Sequence, residues 1–349
     1  MNPLSWYRST GADWPYGDPL RAHPGVAMEG YLWRFTDPHE GRVVIALIGV
    51  NQGPRGTWST LGLAGHPTPA MAMVAHPQGY ADPLRLSADA GPAFTGDDRR
   101  VTVDLGPDAR LDVELSQLRR WPNRRFGGSG VFHAVPALNQ YWHPWLLGGR
   151  ADGTVRLGSD DWRLDGAHVY AEKNWGRAGF PDAWWWGQAQ GFAEPDACVA
   201  FAGGRVTAGR LHAELTALVV ALPGGEVIRL GHPVLSPVRT VTTAERWRLD
   251  GRSRSWRIRV DGSAPLDGAH VLPVPLPAQH RNTAGDIEHL AARLRVSVRR
   301  NGRLVWEGDS RVAALEQGGL ERARAELRRR GLPPTLESAP PMRVHRPSD

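Results

Sequence analysis

The stretch Tyr170-Ala171-Glu172-Lys173-Asn174-Trp175-Gly176 is the most distinctive in the chain. The chain carries 42 basic residues, and Lys173 is the one lysine among them; all the others are arginine. A lone lysine against that background marks a position that a guanidinium does not suit. Lysine offers a compact point charge with three donors, and burial moves its pKa readily. It could hold a carboxylate or a substrate oxygen, or form a structural ion pair beside a turn at 174–176. Strand alternation puts His168, Tyr170 and Glu172 on one face and Lys173 on the other, so Glu172 and Lys173 are not automatically partners. Glu29 is the second carboxylate of interest, because it shares a strand face with Tyr31, Trp33 and Phe35. Against aromatic walls a carboxyl is desolvated and its pKa rises toward that of a general acid; on an outward-looking strand end it is merely solvated. A third segment, 136–144, gathers Asn139, Gln140, Tyr141 and His143 beside aromatics. His143 could orient or donate to an oxygen, but histidine also precedes proline at 23, 66, 76 and 232, the pattern of a turn residue.

Tryptophan is unevenly spread: seven of the fifteen lie between Trp142 and Trp186. Large aromatic walls suit an apolar guest in a β-barrel cavity, with plain core packing as the alternative. Alternation sends Trp184 and Trp186 to one face and Trp185 to the other. Trp184, Trp186 and Tyr170 are therefore expected to line an apolar pocket.

Other chemistries fit poorly. Lys173 is followed by asparagine and preceded by no glycine loop, which excludes a phosphate-binding Walker motif. Gly127-Gly128-Ser129-Gly130-Val131 approaches a nucleophile elbow but carries Val131 where the last glycine belongs. No His-Glu-x-x-His or repeated histidine spacing suggests a metal. The net charge is +6 and the pI about 10, yet the arginines are scattered among acids, and the dense block 322–330 reads as a solvated helix face, not a nucleic-acid site. With a single cysteine, Cys198, there is no disulfide framework. No apolar run reaches the roughly 18 residues of a membrane span, and no signal pattern opens the chain, so a soluble, cytoplasmic protein is expected.

The elements that must position these groups are strands. Gly (41) and Pro (29) punctuate the 349 residues too often for a helical bundle. Strand-like patterns recur at 26–35, 43–50, 101–105, 111–115, 168–173, 184–190, 197–202, 215–222 and 226–230. Two more pairs flank Asp250-Gly251 and Asn301-Gly302, the latter the strongest short-range hairpin signal. One helix is expected, Leu320 to Arg330, between Gly318-Gly319 and Gly331. The reading is all-β, with sandwich or barrel units: 1–155, 156–332 ending in a short helix, and a mobile proline-rich tail at 333–349.

Taken together, several segments resemble the tocopherol cyclase family. They are Glu29-Gly30-Tyr31 with Trp33-Arg34-Phe35, then 136–143, Tyr170 to Gly176, Phe180-Pro181, Trp184-Trp185-Trp186-Gly187-Gln188 and Leu272-Pro273-Val274-Pro275. The resemblance runs over roughly residues 25 to 320. It implies two adjoining lipocalin-like β-barrel or sandwich units, in a group that includes carotenoid hydratases and natural-product cyclases. It also implies a reaction: an acid protonates a prenyl double bond and a phenol oxygen captures the tertiary cation. Glu172, then Glu29, is the expected acid, with Lys173 and Asn174 holding the local turn. Gln188, Tyr141 or His143 would place the quinol oxygen. Tyr170, Trp184, Trp186, Tyr31, Trp33, Trp175, Asn139 and Gln140 would form the binding walls. Aromatic faces stabilise the cation, and no cofactor is required. The implied partner is a hydrophobic prenylated quinol or isoprenoid, with peripheral membrane contact and no nucleic acid. The chain lacks the targeting extension of plant members, inserts Leu32 into the glutamate-glycine-aromatic-aromatic-basic run, and has the arginine bias of GC-rich bacteria. The substrate need not be a tocopherol precursor. A non-catalytic lipid carrier is the competing reading, and an acid within reach of the cavity is what separates the two.

Overall fold

Alternation at 26–35 is realised as the strand Met28–Asp37, which opens an antiparallel meander. The computed structural model describes residues 3–208 and 211–333. Beside Met28–Asp37 lie, in order, Arg42–Gly53, Gly56–His66 and Met71–His76, and the rest of an eleven-stranded sheet runs from Tyr80–Ala81 to Asp160–Gly176. The last strand pairs with the first, setting Glu29 opposite Trp175, Gly30 opposite Asn174 and Tyr31 opposite Lys173. The break in the curled sheet therefore falls between Met71–His76 and Tyr80–Ala81. A ten-stranded second sheet repeats the scheme: its first strand, Trp184–Ala189, pairs with its last, Arg303–Gly318. The chain is thus all-β, two lipocalin-like units duplicated in topology without a residue-level repeat.

Alternation sorts side chains between three apolar regions. Tyr31, Trp33, Phe35, Val169 and Ala171 fill the first unit, while Trp185, Trp247 and Leu315 pack in the second. The residues between them point the other way. Trp142, Tyr170, Trp186 and Ala314 form a separate cluster where the two sheets meet back to back. Trp142 and Trp186 thus lie between the units, with Trp184 on the same cavity wall, whereas Trp145 and Trp162 are in the core of the first unit and Trp185 packs in that of the second.

Asn301 and Gly302 have φ of 50° and 82°, the left-handed pair of a tight hairpin turn. Asp250-Gly251 is a strand segment, contrary to the turn expected there, since Arg246–Arg252 runs through it. A Cβ on Gly251 would lie 2.7 Å from Leu230 Cδ1, so the glycine serves close packing. The helix Leu320–Arg329 forms as expected, and a second helix, Pro3–Ser9, buries none of its residues and had no apolar periodicity to reveal it. The boundary expected at 155/156 falls inside the hairpin of Tyr141–Leu157 and Asp160–Gly176, both strands of the first sheet; the chain changes sheet between Gly176 and Trp184. Residues 334–349, nearly all of the expected tail, lie outside the described residues. Among the described residues no helix is long and apolar enough to cross a membrane.

Arg34 ties the two units together. Fully buried, it donates to Gln188 Oε1 at 2.8 Å, to the Leu290 carbonyl at 3.0 Å and to the Val312 carbonyl, all three on the second unit. Burial pulls its pKa down to about 10, so it stays charged. Arg34→Met strands these acceptors and is expected to lower the unfolding free energy in urea by about 3 kcal/mol or more. Arg34→Lys should recover little, because one ammonium cannot span the same acceptors.

Candidate active site

Glu172 sits on the outward face of Asp160–Gly176, where the sheets meet. Its Oε2 accepts three hydrogen bonds: from Tyr170 Oη at 2.6 Å, Trp142 Nε1 at 2.8 Å and Trp186 Nε1 at 2.8 Å. Oε1 has no hydrogen-bond partner among the described residues. Burial pushes the Glu172 carboxyl up, against the three donors that favour its anion.

Two cavities meet at this group. One, of about 130 Å³, is walled by Trp142, Trp184, Trp186, Phe180 and Tyr141. The other, of about 100 Å³, is walled by Leu32, Leu47, Leu272 and Val274 and reaches Tyr31. Glu172, Asn174, Phe180, Trp184, Trp186 and Glu316 line both. Asn174 is half-buried and its amide has no hydrogen-bond partner among the described residues. It is a strand residue and not part of a turn; Gly30 lies opposite, where a Cβ would come within 2.6 Å of Asn174 Oδ1. The glutamate-glycine pair at 29–30 thus makes room for the Asn174 side chain.

Glu29 and Lys173 occupy the opposite face and form a buried charge cluster. Lys173 Nζ lies 3.6 Å from Glu29 Oε1, donates to the carbonyls of Pro19 at 3.2 Å and Arg21 at 2.8 Å, and lies over the rings of Trp175 and Tyr31. His23 bridges Glu29 and Asp13 through its two ring nitrogens, at 3.2 and 2.9 Å. Burial lowers the Lys173 pKa, with Glu29 opposing it. Burial alone would raise Glu29, but Lys173 and His23 outweigh it and hold the carboxyl below its ordinary value. The rise expected for Glu29 on an aromatic face is therefore reversed, because a cation stands on that face too. Glu29 and Lys173 line neither cavity.

The remaining expected residues divide. Tyr141 lines the larger cavity, its hydroxyl donating to the Val135 carbonyl at 2.6 Å, and Gln140 lines it too. Tyr170 reaches the site through Glu172 and is not part of either wall. Gln188 is buried behind the site, accepting from Arg34 and donating to Cys198 Sγ at 3.6 Å. His143 faces a separate recess beside Asp13 and accepts from the Gly128 N–H at 3.2 Å; burial lowers its pKa well below the ordinary value, keeping it neutral. Trp175 is stacked between His23 and Tyr141 and donates to the Gly11 carbonyl at 2.8 Å, Trp33 is core, and Asn139 bonds Arg205 and Thr207. None of those three lines the two cavities.

Sequence reasoning passed over three acids. Asp286, Glu288 and Glu316 place carboxyl oxygens within 4.8 Å of one another on the wall of the smaller cavity. A register shift between Val298 and Arg299 brings Glu288 opposite Glu316, where counting back from the Asn301-Gly302 turn would set it opposite Leu315. Buried acids in otherwise apolar strands were the available signal.

Residues 100–319 match the family model described as tocopherol cyclase-like, well over half of the chain. The chain belongs to the tocopherol cyclase-like family. The match begins after Glu29–Phe35, so the amino-terminal part of the resemblance lies before it. CghA, solved with Sch210972, has a similar fold: 12% identity over 84% of this chain and 88% of that one, with a TM-score of 0.54. Kievitone hydratase from Nectria haematococca aligns at 11% identity over 86% of this chain and 90% of that one, with a TM-score of 0.48. No curated protein matches the sequence.

In this tocopherol cyclase-like chain Lys173 is expected to be irreplaceable. Lys173→Met leaves Glu29 buried without its cation, costing about 3–5 kcal/mol. Lys173→Arg overfills the same cage, costing about 1–3 kcal/mol. Asp13, despite burial, is held down to about 2 by His23 and Arg8. Carboxyls depressed in the fold stabilise above their unfolded values and lose that contribution as pH falls. Acid unfolding followed by tryptophan fluorescence should move to higher pH in Lys173→Met; an unchanged midpoint would refute the charge cluster.

Proposed function

We propose that the protein is an acid-initiated cyclase that closes a prenylated hydroquinone or related isoprenoid. The observation that carries this reading is the Glu172 geometry. Three donors fix Oε2, leaving Oε1 as the oxygen that can present a proton to an indole-walled cavity. Protonating an alkene needs a dry, strong acid, and tryptophan faces attract the cation that results. Burial raises the Glu172 carboxyl and so favours its protonated form, from which it gives the proton to the alkene carbon. The phenol oxygen then captures the tertiary carbon. Asn174 is the open polar group for that oxygen, taking the place expected for Gln188 and His143. Each cavity is smaller than the roughly 300 Å³ of an ordinary ligand pocket. In this reading the ring and its prenyl chain occupy both cavities, which share Glu172, Trp184 and Trp186 in their walls. Family membership supports a cyclase-type enzyme, and the acid on the cavity wall favours turnover over a lipid carrier.

Glu172→Gln preserves the shape of the acid and is expected to leave tryptophan-fluorescence binding of a prenylated methylhydroquinone nearly intact. Turnover should drop by about two to four orders of magnitude. In deuterated solvent the wild-type product must carry one deuterium on the former olefinic carbon, and product without that label would rule out proton initiation. Saturable binding with no product from any prenylated quinol would favour the carrier. Trp186→Ala removes one wall and one donor to Glu172, so it should weaken both binding and turnover.

A further inference from the structure

Asp286, Glu288 and Glu316 have no part in the steps above. Glu288 stands directly opposite Glu316 across the sheet, and Glu316 opposite Trp186. Asp286 hydrogen-bonds Glu316, which also accepts the Trp184 indole N–H at Oε1. Two further oxygens, Asp286 Oδ1 and Glu288 Oε1, are buried without a hydrogen-bond partner, on side chains 6% and 2% exposed. All three acids line the cavity that Glu172 lines, and Glu316 lines both cavities. The charged and titratable groups facing them are Glu172 and Arg34 from the first unit, and His270, opposite Glu288 in the neighbouring strand. Arg34 can balance one carboxylate. Further negative charges at this spacing in an apolar wall repel strongly, so the trio ionises one group at a time. Burial, with the neighbouring carboxylates, pushes Glu316 up to about 7 and Glu288 to about 8.

We propose that the trio is a second acid–base centre, in which Glu316 takes up the proton released by the ring-forming hydroxyl. This rests on the cyclase reading. The Glu172 O–H bond breaks as the C–H bond forms on the alkene. The phenol oxygen then bonds the tertiary carbon while its O–H bond breaks toward the Glu316 carboxylate. Glu172 is left ionised and Glu316 protonated, and one proton passed back across their shared cavity resets both. No electrons move and no co-reactant is consumed. Asp286 is a positioning residue that shares its hydrogen bond with Glu316, and Glu288, which stands above Glu316 even with Arg34 nearby, keeps its proton while Glu316 is ionised.

The test uses the full chain and a prenylated methylhydroquinone. In the wild type kcat should rise with pH near 7 as Glu316 ionises. Glu316→Gln should lower kcat about 100-fold or more, leave KM nearly unchanged and abolish that rise. Glu316→Asp should restore part of the rate, and Asp286→Asn should displace the rise without removing it. Substrate-free thermal unfolding gives a second readout. A carboxyl raised in the fold loses stability as pH climbs above its unfolded value. Glu316→Gln should therefore gain in melting temperature relative to wild type as pH rises from about 5 to 7, which would be absent if Glu316 kept an ordinary carboxyl pKa in the fold. If the wild type turns over and Glu316→Gln keeps both its kcat and its pH profile, the acceptor role fails while the cyclase reading stands. If the wild type makes no product, the cyclase reading fails and the acceptor role falls with it.

Discussion

Pairing of the first strand with the last in each sheet is the constraint on which the site depends. In the first unit Met28–Asp37 closes onto Asp160–Gly176, and in the second Trp184–Ala189 closes onto Arg303–Gly318. These closing pairs stand back to back, so both of their faces are buried. One face completes a barrel core, and the other becomes the wall of a space between barrels. Glu172, Asn174, Trp184, Trp186 and Glu316 all come from closing strands. A two-sided strand needs no long loop to carry chemistry, and its side chains are held by ladder hydrogen bonds on either side.

Alternation on such a strand separates two electrostatic environments by one residue. Lys173 faces a cluster of Asp13, His23 and Glu29 in which every charge has a partner. Glu172 faces indoles, a tyrosine and other acids, with no cation in contact. Burial is the same for both carboxyls, yet Glu29 is lowered and Glu172 raised. The sign of each shift follows from the neighbours and not from the depth. Had Glu172 shared a face with Lys173, the pair would be a salt bridge and no acid would remain on the cavity wall.

Features that depend on short-range pattern were legible in the sequence. The strands, the Asn301-Gly302 turn, the terminal helix, the opposed faces of Trp184–Trp186 and the separation of Glu172 from Lys173 all follow from periods of two and from turn chemistry. What was not legible depends on register and on docking. A register shift between Val298 and Arg299, with two further shifts around Ala292 that cancel, leaves the pairing one place out and so brings Glu288 to Glu316. The sign of the Glu29 shift needed the loop that carries His23 and Asp13, which no periodicity ties to that strand. The placing of Trp142 and Trp186 between two units, where one cavity was expected inside a barrel, needed the packing of one sheet on the other. His143 and Trp175 were singled out by their aromatic and polar company, which turned out to be edge-on packing of each ring against His133.

An acid that protonates an alkene faces opposed demands: it must keep its proton at rest and release it to a very weak base. Burial meets the first demand by raising the resting pKa of Glu172. The three donors on Oε2 meet the second, because they are already in place where negative charge grows as the proton leaves. Trp142 and Trp186 serve twice. Their N–H edges point at the carboxylate and the same residues form the cavity wall, so one indole can steady the anion through its edge and the cation through its face. A histidine or lysine could hold the carboxylate equally well but would bring a positive charge to the place where the proposed reaction forms a carbocation. The residues that hold the acid therefore have to be neutral donors with π faces, and tryptophan and tyrosine are the side chains that supply both.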